Sequence, residues 1–110
     1  SVEQFLGGAE NEGVRTVKLL ELRPKKNQFE VWLHHAEDCE GEAPYDLYEA
    51  ILGEDETPIA VFEYAKDAIA FAHRELGARA DKWTNLGMAE DEYADFLRHG
   101  RPAIWPLEIA

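Results

Sequence analysis

Phe29, Val31 and Leu33 alternate with Glu30, Trp32 and His34, and a period of two is the mark of a strand with one buried face. Just upstream, Val17, Leu19, Leu20 and Leu22 form an apolar run of strand-like content between Val14 and Arg23. The intervening Pro24-Lys25-Lys26-Asn27 supplies turn residues, so the two runs predict a β-hairpin. Ala36 to Pro44 reads as a polar loop. Tyr45 to Leu52 then resumes strand character, with Tyr48, Ala50 and Leu52 on one side, and predicts a third strand.

Residues 57–64 fit two patterns, a short strand from Pro58 to Phe62 or the start of a helical stripe through Ile59, Phe62, Ile69, His73 and Leu76. The reading taken is a short strand followed by a helix from about Ala65 to Leu76. Ala68, Ile69, Ala72 and Leu76 would face the sheet, and Gly77 would stop the helix as a left-handed cap. A second helix is predicted over Met88 to His99 with Tyr93, Phe96 and Leu97 on its apolar face. Its acids Glu90, Asp91 and Glu92 suit the positive N-terminal end, and Arg98 and His99 the negative C-terminal end, with Gly100 following. Pro102 and Pro106 hold Ala103-Ile104-Trp105 extended or irregular. Residues 1–12 contain Gly7 and Gly8 and no sustained periodicity, and are expected to be a loose N-terminal arm.

These elements predict an α+β domain, a three- or four-stranded antiparallel sheet followed by two helices packed on it. At 110 residues the chain is expected to be one domain spanning residues 1–110, because halves of that length could not bury an adequate core. Hydrophobic residues make up 45% of the chain, enough apolar material to fold despite the high charge content.

Charge narrows the choice of partners. The chain carries 23 acids against 11 bases, a formal net charge of −12, and repulsion then opposes phosphate backbones and anionic lipid. Neither nucleic acid nor a membrane is an expected partner. A lone Cys39 cannot close an internal disulfide or supply a multi-cysteine zinc site, and there is neither a long apolar run nor a secretory leader pattern at the start of the sequence. A cytoplasmic location is expected.

The acids are polarised along the chain. Glu37, Asp38, Glu40, Glu42, Asp46, Glu49, Glu54, Asp55, Glu56 and Glu63 fall between Glu37 and Tyr64, where there is no Lys or Arg. Such a run is ordinary solvated loop or an acidic docking face for a basic partner. The residues put forward for docking are Glu37, Asp38, Glu40, Glu42, Asp46, Glu54, Asp55 and Glu56, with two aromatic anchors, Trp32 and Trp105. Trp32 sits on the strand face opposite Phe29, Val31 and Leu33, and either covers a second apolar layer or is exposed. Trp83 is expected in the core.

Other chemistry finds little support in the residues. His34 and His35 lie near Glu37, Asp38 and Cys39, but neighbouring strand residues point to opposite faces and cannot easily share one ion, so no metal site is expected. Asp38 and Glu40 disfavour a Cys39 thiolate. No phosphate-cradling glycine loop, nucleophile elbow or zinc-protease helix is present, and neither enzyme activity nor a cofactor is expected.

Lys82-Trp83-Thr84-Asn85-Leu86-Gly87-Met88, followed by Asp91-Glu92-Tyr93 and preceded by a sheet-forming half and an Ala-rich helix, resembles small bacterial immunity proteins that neutralise secreted toxins. The chain also looks like orphan proteins carried on mobile gene cassettes. The resemblance covers the last half of the chain and implies a protein that blocks a toxin's active site or an adjoining surface, with acidic side chains against a basic partner. The function expected is therefore a non-enzymatic, acidic protein-binding module. The alternative is a small-ligand or metal-binding protein with a pocket between sheet and helices near Trp32, Tyr48 and His35. Self-association is compatible with either.

Overall fold

The structure, a computed structural model, describes residues 1–11, 13–38, 51, 57–85 and 89–105. Its elements in chain order are β1 (Val2–Asn11), β2 (Val14–Lys25), β3 (Gln28–Glu37), β4 (Ala60–Phe62), α1 (Ala65–Leu76), β5 (Thr84–Asn85) and α2 (Ala89–Arg98). The strands form one antiparallel sheet in the order β4-β3-β2-β1-β5. The α+β class is as expected, but among the described residues the sheet has five strands, not three or four.

The largest correction concerns the N-terminus. Residues 2–11 are not a loose arm but a long strand paired with β2 from Val2↔Leu22 to Asn11↔Val14. A bulge interrupts the register between Phe5 and Gly7, where Leu6 is the extra residue and Gly7 adopts φ 105. Inserting one residue flips the side to which later side chains point. Phe5, paired with Leu19, and Gly8, paired with Val17, consequently share a face although three positions separate them.

β2 and β3 form the expected hairpin, closed by a two-residue loop in which Lys26 adopts φ 55, on the positive side that tight hairpin loops need. Pro24, expected in the turn, instead pairs with Phe29 inside the ladder. β1 reaches no further along β2 than Leu22, so Pro24 has a strand neighbour on one side only, where a missing N–H is tolerated. The expected strand from Tyr45 to Leu52 lies outside the described residues except for Ile51, which bridges Ala36. Within residues 57–64, Ala60–Phe62 form strand β4, the strand alternative of the two expected there, and β5 was not expected.

The helices cover opposite faces of the sheet. Phe5, Val17, Leu19 and Ala36 pack against Ala89, Tyr93 and Phe96 of α2. On the other face Leu20, Leu22 and Val31 pack against Ala68 and Ala72 of α1, with Leu6, Phe62, Phe71 and Trp83 partly buried around them. A central strand with helices over both sides places apolar residues at odd and even positions alike, which is why Val17, Leu19, Leu20 and Leu22 read as a run. Each such large side chain contributes about 1.5–3 kcal/mol by leaving water.

Both helices end as their glycines dictate. Gly77 adopts φ 74, and its N–H bonds to the Ala72 carbonyl. Gly100 adopts φ 77; its N–H bonds to Leu97 O, and the Arg101 N–H reaches Phe96 O, the paired bonds of a Schellman cap. On α1, Ala68 and Ala72 are buried and Leu76 half-buried as expected, but Ile69 is exposed and Phe71 takes its place against the sheet.

Candidate functional site

Strand alternation and register place Glu21, Arg23, Glu30, Trp32 and His34 on the same sheet face as Val17 and Leu19, with Glu21 opposite Trp32 and Arg23 opposite Glu30. Glu21 is buried, and its carboxylate accepts from Arg23 Nη2 at 2.9 Å, Arg23 Nε at 3.1 Å and His34 Nε2 at 3.1 Å. Burial alone would raise this carboxyl's pKa. The hydrogen bonds from His34 and Arg23, with their charge, outweigh burial and lower it to about 2.

Trp32 is held in the same network. Its Nε1 donates to Glu30 Oε1 at 3.1 Å, the Arg23 guanidinium lies 4.4 Å from its ring centroid, and the His34 ring stacks at 6.0 Å. At 8% exposure Trp32 is buried, the inward one of the two placements its strand position allows. His35 lies on the other face of β3, so the two histidines diverge as alternation requires.

Asp38 is buried at the end of β3. It accepts the Tyr93 hydroxyl, and its Oδ2 lies 2.8 Å from Arg101 Nε. This carboxylate ties the sheet to α2 through Tyr93 and to the segment just after α2 through Arg101. Trp105 is half-buried and packs edge-on against Phe5 and Phe96 at 6.5 and 5.5 Å. Near it, Glu92 is pushed above the usual carboxylate range by burial, partly opposed by the Lys82 ammonium and the Trp105 indole N–H. Trp83 donates from Nε1 to His73 Nε2 at 3.0 Å and so fastens the connector after α1 to that helix.

An open cleft of about 630 Å³ lies between the β1–β2 hairpin and the end of α2. Gly8, Ala9 and Gly13 offer it little side chain, Phe96 is at its base, and Glu10, Arg15, Asp38 and Arg101 supply charge. Trp32 and His35, near which a ligand pocket was expected, do not line it, and Tyr48 lies outside the described residues.

Of the expected docking residues, Glu37 is exposed, while Asp38, Trp32 and Trp105 are engaged in the interior contacts above. Glu40, Glu42, Asp46, Glu54, Asp55 and Glu56 lie outside the described residues, as does Cys39. Ile59, Val61 and Tyr64, on and beside β4, are exposed by 48%, 45% and 56%. They resemble core residues in sequence, and only their position at a sheet edge distinguishes them.

Among the described residues no group of three or more His, Cys, Asp and Glu side chains is placed to hold a metal ion, and no helix is long and apolar enough to cross a membrane. Compared with known proteins, the chain matches no family model, and no curated protein or solved structure is significantly similar to it.

Proposed function

We propose that this chain is a non-enzymatic, acidic protein-binding module of inhibitor or immunity type, which meets a basic partner through the acidic segment between Glu37 and Tyr64. The observation that carries this reading is the polarised charge: ten of the 23 acids fall in that segment and none of the 11 bases does. One-signed charge concentrated on a small protein speeds encounter with an oppositely charged surface and orients it. With Asp38, Trp32 and Trp105 held in interior contacts, the proposed contact rests on Glu37, the other acids of the segment and the exposed Ile59, Val61 and Tyr64.

The test is the association rate with a basic protein captured from the native host, followed as ionic strength rises. Steering by the acidic segment predicts a rate that falls steeply with salt and drops about tenfold when Glu54, Asp55 and Glu56 are changed together to Gln. A rate indifferent to both removes the electrostatic reading.

The cleft favours a second reading, a small-ligand site. Its volume falls in the range of ligand pockets, and among the described residues the Arg15 guanidinium has no ion-pair partner. A metabolite mixture that shifts the backbone amides of Gly8, Gly13 and Gly100, with the shifts abolished by Arg15→Gln, would support it.

A further inference from the structure

We infer that the outer edge of β4 is where the basic partner docks, by laying down an extended segment of its own chain as an added strand. This rests on the reading of the chain as an acidic binding module and specifies how that module holds its partner. β4 is the last strand of the sheet on its side: it pairs with β3 through Phe29↔Phe62, Glu30↔Val61 and Val31↔Ala60, and among the described residues no strand pairs with its other edge. An edge strand presents backbone donors and acceptors that template a further strand.

Proteins commonly blunt such an edge by keeping it short, or with lysine, proline or a bulge; β4 is short, at three residues, but holds none of the other three. The three strand residues are Ala60, Val61 and Phe62, and the exposed large apolar side chains on and near them are Ile59, Val61 and Tyr64. Ile59 and Val61 are two positions apart and so point to one face, a short apolar row fit to receive alternate side chains of an added strand. Beyond the C-terminal end of the strand stand the exposed acids Glu63 and, in the first turn of α1, Asp67, with Lys66 engaged over the Tyr64 ring at 5.8 Å.

These features select one occupant. An added strand with apolar residues at alternate positions matches Ile59 and Val61, and Lys or Arg at the others matches the local acids and the net charge of −12. A second copy of the chain fits the edge geometrically but brings another −12 to it, which disfavours that pairing.

The probe is a capped ten-residue peptide of alternating Lys and Val, with a second peptide of the same sequence N-methylated at every other residue to remove the donors of one edge. The parent peptide should shift the amides of residues 59–63 in a backbone NMR spectrum, and the methylated one should bind at least tenfold more weakly. Val61→Lys, a surface change that places a gatekeeper charge on the edge, should weaken binding of the parent at least tenfold. Ile69→Lys, the same charge change at an exposed site on α1, should weaken it less than threefold. Equal binding of both peptides would overturn strand addition while leaving the acidic-module reading intact, since charge alone would then suffice. Failure of the parent peptide to shift residues 59–63 would likewise overturn it. So would a dimer of the chain alone, seen by sedimentation and abolished by Val61→Lys, because the edge would then belong to a second copy.

Discussion

Asp38 and Arg101, 63 positions apart in sequence, form an ion pair with Nε 2.8 Å from Oδ2, and the carboxylate is the more deeply buried partner. The pair joins the end of β3 to the chain just beyond α2, and the Tyr93 hydroxyl completes the coordination from within α2. An acid that reads in sequence as one of a solvated run is therefore a structural fastener.

Removing either member of the pair should destabilise the fold. Asp38→Ala removes the carboxylate that accepts from the wholly buried Tyr93 and pairs with a half-buried guanidinium, an expected loss of about 2–4 kcal/mol in urea denaturation. Arg101→Ala takes the cation away from a carboxylate that is itself buried, and should cost a comparable amount, about 2–4 kcal/mol.

Glu21 predicts an acid limb in stability. Its folded-state pKa of about 2 lies below the ordinary value of 4.5, so the ionised carboxylate stabilises the fold above the ordinary value. That contribution should be lost progressively as pH falls from about 4.5 toward 2. Glu21→Gln should be less stable than the parent at pH 7, with the gap closing through that window in parallel denaturation curves. A gap that is constant across the window would show that the carboxylate's charge has no part in it.

Gly7 makes the β1 bulge open to a direct test. It adopts φ 105, and a Cβ added there would stand 3.0 Å from the Trp105 Cβ, the root of a side chain with little room to move. Gly7→Ala should therefore lower stability by about 2–3 kcal/mol, combining backbone strain with displacement of Trp105. Gly13→Ala shares the strain but meets no neighbour within 4 Å, and should cost less.

The same bulge explains what was illegible in the sequence. The hairpin, both helices and their glycine stops were readable because each has an unbroken period or a cap. β1 was not, because Leu6 shifts its side chains by one position and Gly7 and Gly8 supply no side chains to mark the pattern. β5 is two residues long, below the length at which alternation exists. Trp32 and Asp38 sit in stretches that look exposed, and their burial depends on partners such as Arg101 and Tyr93 that only tertiary structure brings near. Conversely, Ile59 and Val61 carry the residue types of a core strand, and nothing local shows that their sheet ends there.

The central claim, docking of a basic partner along the acidic segment and the β4 edge, is tested most directly by hydrogen–deuterium exchange of the chain alone and with its captured partner bound. The account predicts slowed exchange confined to residues 37–64, with the strongest new protection at the backbone amides of Ala60 to Phe62. Protection centred instead on Gly8 to Arg15 and Gly100 to Ala103, with residues 57–64 unchanged, would contradict it and move the binding surface to the cleft.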